Sequence, residues 1–217
     1  MVEEINPQSS FIIRSFPVGP FQCNCSIIGD SLTKRALVID PGGNPELILA
    51  TLIELQLSVV GIIHTHAHLD HILAAGKIKL ATGAPIFLHR QDKFLWDMLE
   101  QQCAMMSVAY VPVPEPDHFL NDDDDLSCCG GVAIHTPGHS PGSMSFWFEQ
   151  YQTLVAGDTL FQGSIGRTDL PGGDINVITK SIKERIYSLD DSALVITGHG
   201  PSTQIGIEKN YNNFVRV

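Results

Sequence analysis

The sequence predicts an α+β chain built as a four-layer αββα sandwich, two mixed sheets face to face with helices on their outer sides. Two observations predict it. Short apolar, β-branched runs bounded by Gly, Asp and Pro turns recur in both halves of the 217 residues, and each set of runs is flanked by segments whose apolar residues repeat at helical spacing. Two β-rich halves with helices at their flanks suit this architecture better than a doubly wound parallel sheet. No linker-like stretch or break in composition divides the chain, so residues 1–217 are expected to form a single domain.

In chain order, FIIRSF (11–16), CSIIGD (25–30) and RALVIDPGG (35–43) read as antiparallel strands; Gly29-Asp30 begins a short hairpin connection and Asp40-Pro41-Gly42-Gly43 ends the third run. PELILATLIELQL (45–57) carries Leu47, Ile48, Leu52 and Leu55 at helical spacing, and VVGIIHT (59–65) has the β-branched character of a buried strand. HILAAGKIKLATG (71–83) predicts a helix ending near Gly83, with Asp70 and His71 at its N-terminal edge. A strand APIFLH (84–89), a helix RQDKFLWDMLEQQCAMM (90–106) and a proline- and acid-rich loop YVPVPEPDHFLNDDDDL (110–126) follow. The aspartate run at 122–125 lacks the ligand spacing and glycine of a calcium loop and reads as solvated. In the second half VAIHT (132–136), MSFWF (144–148), TLVAG (153–157) and ALVIT (193–197) read as strands, PGHSPGS (137–143) as a turn and DTLFQGSIGRTDLPGGD (158–174) as a long Gly-rich loop. DINVITKSIKERIYSL (174–189) and IGIEKNYNNFV (205–215) are helical by period.

Composition excludes several classes of function. A formal charge of −11 with 13 Lys and Arg leaves no cation-rich surface to track phosphates, so nucleic acid is not an expected partner. No apolar run approaches the roughly 20 residues that span a bilayer, and no membrane partner is expected. MVEEINPQSS (1–10) carries two glutamates and no basic or apolar core of a signal peptide, which makes the cytoplasm the expected location. The odd number of cysteines, 5, reads as reduced thiols, because neither Cys23-Asn24-Cys25 nor the adjacent Cys128 and Cys129 has zinc-site spacing.

The chemistry concentrates in IIHTHAHLDHIL (62–73), which holds His64, His66, His68, Asp70 and His71 within one short stretch. Imidazoles and a carboxylate this crowded repel when charged and need partners when buried, so the cluster reads as a site. Polar residues recur where other strands stop: His139 after VAIHT, Asp158 after TLVAG, His199 after ALVIT. These side chains suffice for two divalent ions, three histidines on one, an aspartate and two histidines on the other, and one carboxylate shared; thiolates are not needed.

T-H-A-H-L-D-H, T-P-G-H-S-P-G-S, A-G-D-T-L-F and G-H-G-P, in this order, resemble the signature of the metallo-β-lactamase superfamily over nearly the whole chain. A-G-D-T-L-F followed by GSIGRTDLPGGD, and the ending GHGPSTQIGIEKNYNNF, resemble the short glyoxalase II-like hydrolases related to hydroxyacylglutathione hydrolase. The resemblance implies His66, His68 and His139 as ligands of a first metal, Asp70, His71 and His199 of a second, and Asp158 as the bridge. It implies zinc first, with iron or manganese as alternatives, and hydrolysis of a small-molecule acyl thioester such as S-lactoylglutathione. Asp70 is then both ligand and catalytic proton acceptor. Asp40, in the VIDPGG turn, matches a family aspartate that orients a ligand histidine through its second nitrogen. His64 falls where relatives carry an apolar strand residue and is left as a packed histidine.

Arg167, the only cation between 163 and 174, is the candidate clamp for a substrate carboxylate, or else pins its loop to Asp169 or Asp174. Phe161, Trp147 and Tyr110 are expected in the core rather than in a pocket. Full-length glyoxalase II enzymes carry a helical C-terminal extension whose basic residues help hold glutathione. Here residues 200–217 contain Lys209 and Arg216 as their cations, so that extension is expected to be missing, and the acyl thioester is better supported than its glutathione carrier. The persulfide dioxygenases share the H-x-H-x-D-H framework and a G-R-T-D loop like 166–169. They bind a single iron, which here would use His66, His139 and Asp158 on glutathione persulfide; the G-H-G-P-S-T ending favours the hydrolase.

Overall fold

In the computed structural model, which describes the backbone of residues 2–5 and all of residues 10–216, the first three predicted runs form an antiparallel meander. They are β2 (Phe11–Val18), β3 (Cys23–Asp30) and β4 (Arg35–Ile39), and β1 (Val2–Ile5), which no predicted run covers, pairs antiparallel with β2. Asp30 closes the β3–β4 turn by accepting from the backbone N–H groups of Leu32 (2.9 Å) and Thr33 (2.6 Å), the local bonding that makes aspartate a turn residue. The helix α1 (Pro45–Glu54) then carries the chain across to β5 (Ser58–Ile63), which pairs parallel to β4. Its first turn holds Pro45, where a missing N–H costs nothing, and it buries Ile48 and Leu52; Leu47, placed on the same face by period, is 48% exposed.

The predicted helix over 71–83 is two helices, α2 (Leu69–Ile72) and α3 (Ala75–Thr82). The break lies at Ala74, whose N–H donates to the carbonyl of Pro41 (2.9 Å), a partner from the far end of β4. Gly83 at φ +74 ends α3 in the left-handed conformation that glycine adopts without Cβ strain. After β6 (Ile86–His89) a 3-10 turn over Arg90–Asp92 leads to α4 (Lys93–Asp97) and α5 (Leu99–Met105), where one continuous helix was expected. The loop that follows contains β7 (His118–Leu120), so β1 to β7 form a seven-stranded mixed sheet in strict chain order. Ile27, Val38, Ile62, Ile72, Ile78 and Trp96 lie in the core beneath it.

Met1–Leu120 is one compact unit and Asn121–Val217 a second. In the second, β8 (Gly131–His135), β9 (Met144–Phe148) and β10 (Thr153–Gly157) are antiparallel neighbours. The Gly-rich loop after them contains a small hairpin, β11 (Leu160–Phe161) with β12 (Ser164–Ile165). Asp174 then caps α6 (Ile175–Ser181) by accepting from the N–H groups of Asn176 (2.8 Å) and Val177 (3.1 Å), and the helix continues as a π turn over Ile182–Ile186. β13 (Leu194–Thr197) inserts parallel to β10, β14 (Thr203–Gln204) closes the sheet in the order β14-β13-β10-β9-β8, and α7 (Ile205–Tyr211) follows. Leu154, Val195, Ile178, Ile182 and Ile205 pack as its core. Trp147 is in that core as expected, whereas Tyr110 is 43% exposed. No helix among the described residues is long and apolar enough to cross a membrane.

Candidate metal centre

Each unit carries a histidine and carboxylate cluster at the C-terminal ends of its strands. In the first, β5 stops at Ile63 and the chain leaves the sheet through residues 64–68 before turning into α2. His66, His68 and His71 are buried, Asp70 partly so. The ring of His66 lies 4.7 Å from that of His68, edge to face, and 4.1 Å from that of His71. His71 Nε2 and Asp70 Oδ2 are 3.8 Å apart.

Asp40 sets the orientation of this cluster. At φ +52, a conformation few side chains other than Asn and Asp adopt, it turns its carboxylate back under the strand end. Oδ1 accepts from Thr65 N–H (2.8 Å), and Oδ2 accepts from Thr65 Oγ1 (2.6 Å) and lies 3.0 Å from His71 Nδ1. A carboxylate there fixes the proton on Nδ1 and leaves the Nε2 lone pair of His71 for a ligand role. Thr65 Oγ1 stands 3.1 Å from His66 Nδ1 and holds that ring in turn. Gly42 is required beside them, because a Cβ would run into the carbonyl oxygen of Asp70.

Sequence reasoning misses two supports of the ligand loop. The buried Asp92 accepts from Ala67 N–H (3.0 Å). Gln102 accepts from Leu69 N–H (3.0 Å) and donates to the carbonyls of Ala67 (3.1 Å) and Leu95 (2.7 Å). Both lie outside every motif, and their partners are backbone groups, so no spacing in the sequence marks them.

His64 is set apart from the other histidines by what surrounds it. It is fully buried, packs edge-on against Trp96 at 5.3 Å, and places Nδ1 3.1 Å from the carbonyl of His71. Burial holds its pKa down to about 4, so the ring is neutral and donates to that carbonyl. Its Nε2 meets no hydrogen-bond partner among the described residues. His64→Leu is therefore expected to keep the full metal content while losing about 1 kcal/mol for the bond to His71; a variant that binds one ion fewer would place His64 among the ligands. Cys23, with Sγ 3.4 Å from His71 Nδ1, is held protonated by burial, which pushes its pKa up to about 12.

In the second unit the ligand candidates come from three strand ends. The turn after β8 is locked by Thr136 N–H to the Ser143 carbonyl (2.9 Å), Gly138 N–H to the Ser140 carbonyl (3.0 Å) and Ser140 N–H to Ser143 Oγ (3.0 Å), and presents His139. Asp158 follows β10 and His199 follows β13; these strands are parallel neighbours, so their C-terminal ends lie side by side. The two oxygens of Asp158 are divided between two rings: Oδ2 lies 3.6 Å from His139 Nε2 and Oδ1 lies 3.7 Å from His199 Nε2. His139 Nδ1 is 2.8 Å from the carbonyl of Arg167, which fixes the tautomer with its Nε2 lone pair toward the carboxylate.

Backbone surrounds this carboxylate residue. A Cβ on Gly166 would strike the Asp158 carbonyl, and one on Gly198 would strike Asp158 Oδ1. The loop that supplies the Arg167 carbonyl is tied to α7: Glu208, 1% exposed, accepts from Gly163 N–H (2.8 Å), and Asn212 Nδ2 donates to the carbonyl of Ser164 (2.9 Å). The guanidinium of Arg167 points elsewhere, forking onto Asp169 at 2.7 and 2.8 Å, and this pairing draws the Asp169 carboxyl down to about 2. Both side chains are exposed.

These residues suit divalent ions. Two N or O ligands at 2.0–2.2 Å from a tetrahedral ion lie about 3.4 Å from one another. The separations of 3.6, 3.7 and 3.8 Å fall close to that value and beyond hydrogen-bond reach. Imidazoles with Nδ1 already engaged, together with carboxylates and no thiolate, form a donor set that takes zinc, iron or manganese.

Mixed sheets with helices and histidine–aspartate clusters of this donor type mark a metal-dependent enzyme, and its relatives place it among the metal-dependent hydrolases. The sequence model of the metallo-β-lactamase superfamily matches residues 18–199, and the chain belongs to that superfamily and has its α+β fold. It is 38% identical over 207 residues to hydroxyacylglutathione hydrolase GloC of Haemophilus influenzae, with 94% of this chain and 97% of that protein aligned. Among solved structures it is similar to BLEG-1 B3 metallo-β-lactamase, with a TM-score of 0.86 and 36% identity over 94% of this chain and 99% of that one. It is also similar to TTHA1623 in a di-iron-bound form, with a TM-score of 0.85 and 34% identity over 92% of this chain and 98% of that one.

Proposed function

We propose that the chain hydrolyses an acyl thioester of the S-lactoylglutathione type at a dinuclear centre. In this reading His66, His68 and His139 hold one ion, Asp70, His71 and His199 the other, and Asp158 both. The observation that carries it is the division of the Asp158 carboxylate between His139 and His199, at 3.6 and 3.7 Å, since these two rings belong to different ions in the assignment. Similarity to a hydroxyacylglutathione hydrolase and to a di-iron protein supports it.

When bound, divalent ions acidify water and polarise a carbonyl. The chain's own residues supply the rest. Asp40, Thr65 and the Arg167 carbonyl hold the rings of His71, His66 and His139, so that their Nε2 atoms need no reorientation during the reaction. In this reading Asp70, partly exposed beside His71, takes the proton lost by the attacking water. A thiolate leaving group needs little protonation, so no further acid is required. Arg167 would serve as a substrate clamp by exchanging Asp169 for a carboxylate of the substrate. A cytoplasmic location fits a thiol-derived substrate and the reduced cysteines.

Elemental analysis of protein purified without added metal, paired with rates on S-lactoylglutathione, tests this reading. About two ions per chain with thioester cleavage are expected. One iron per chain with oxygen uptake on glutathione persulfide would replace the hydrolase by the mononuclear dioxygenase.

A further inference from the structure

The hairpin that leads into β8 ends in a tight turn built from Cys128, Cys129, Gly130 and Gly131. Gly131 N–H donates to the Cys128 carbonyl (3.0 Å), and the two central residues are both left-handed, Cys129 at φ +55 and Gly130 at φ +64, the signature of a type I′ turn. Leu126 N–H to the Gly131 carbonyl (2.9 Å) and the bridge between Asp125 and Val132 hold the arms on either side.

A cysteine is an unfavourable choice at the first central position. Its Cβ crowds the following carbonyl, and Asn or Gly ordinarily takes that place. A residue that breaks a local folding rule without a packing gain points to a use for its side chain. The turn also does something an extended strand cannot. Neighbouring side chains on a strand point to opposite faces, whereas here Cys128 Sγ and Cys129 Sγ lie 3.4 Å apart. Cys128 is 6% exposed and Cys129 more open, so one thiol faces reagents and the other stands behind it. Cys23, Cys25 and Cys103 are all buried, and burial raises their pKa values, which keeps them unreactive.

We propose that Cys128 and Cys129 are a redox-active dithiol that closes to a vicinal disulfide by exchange with a low-molecular-weight disulfide. Cys129 gives up its proton and attacks one sulfur of the incoming disulfide, whose S–S bond breaks to release a first thiol. Cys128, deprotonated in turn, attacks the Cys129 sulfur; the mixed bond breaks and the second thiol leaves. Cys128 and Cys129 lose two electrons together, the incoming disulfide gains them, and the two protons depart on the released thiols. The sulfurs have to close from 3.4 Å to a bond of about 2.05 Å. Adjacent Cα atoms stand about 3.8 Å apart, below the usual disulfide span of roughly 4.4–6.8 Å, so closure takes rotation of both side chains and distortion of the Cys128–Cys129 peptide, which makes the bond readily reducible.

The test incubates the full chain with oxidised glutathione, removes it, counts thiols after denaturation, and maps the product by intact and peptide mass. The wild type is expected to lose two of its 5 thiols and two hydrogens in mass, with the new bond between Cys128 and Cys129. Cys128→Ser should stop at a stable glutathione adduct on Cys129, and Cys129→Ser should resist reaction. A wild type that keeps all its thiols, that retains a stable glutathione adduct, or whose bond maps elsewhere would overturn the proposal.

Discussion

Asp158→Ala is expected to lower thioester hydrolysis by at least about 10³-fold, because losing even one oxyanion donor costs an enzyme about 10²–10³ and this carboxylate serves two ions in the proposed centre. Metal content should fall below two per chain, with unchanged circular dichroism. The fold should survive for a physical reason. Asp158 stands after β10 rather than inside it, and its short polar side chain, 14% exposed, takes no apolar packing with it when replaced by alanine. The metal-free variant should therefore melt close to the metal-free wild type, while metal stabilises the wild type more than the variant. A variant that retains both ions and a near-wild-type rate would remove Asp158 from the centre.

Gly198→Ala tests the same carboxylate without replacing any of the proposed ligands. The added Cβ would run into Asp158 Oδ1 and lie 2.9 and 3.1 Å from the carbonyl carbon and oxygen of Gly157, so both strand ends have to give. Overpacking of this kind costs about 1–3 kcal/mol, and each kcal/mol lowers Tm by about 2–4 °C in a chain of this size. Displacing Asp158 should weaken metal binding by about 10–100-fold, the range seen when residues that orient ligands are lost. Metal titration of the metal-free protein and thermal melts measure both effects; wild-type affinity in the variant would mean that the carboxylate is free to move.

The strands and the candidate ligand residues stand out in the sequence because each depends on neighbours in the chain. β-branched runs bounded by turn residues mark β2 to β5, β8 to β10 and β13, and the candidate ligands stand shortly after β5, β8, β10 and β13. What the sequence hides depends on partners brought in from far away. The helix over 71–83 divides because Ala74 N–H goes to Pro41, a bond no periodicity records. β7 and the β11–β12 hairpin are two or three residues long, below the length at which alternation becomes a pattern. Arg167 was singled out for its charge, yet its carbonyl is what touches His139, and every residue type has a carbonyl. Gly166 and Gly198 did leave a trace, as glycines immediately beside motif residues, which is where backbone must approach a carboxylate closely.

The buried bonds of Glu208 and Asn212 to Gly163 and Ser164 bear on how a substrate is received. A glycine-rich loop has wide conformational freedom, and a ligand that orders one must give up affinity to do so. Here α7 clasps one end of the loop, while Asp174 N–H, bonded to the Gly138 carbonyl at 2.8 Å, clasps the other. The ordering entropy is thus lost when the chain folds, and a molecule arriving beside His139 meets a surface whose shape is preset. Selectivity at such a surface is governed by complementarity to a fixed wall rather than by the closing of a flexible one.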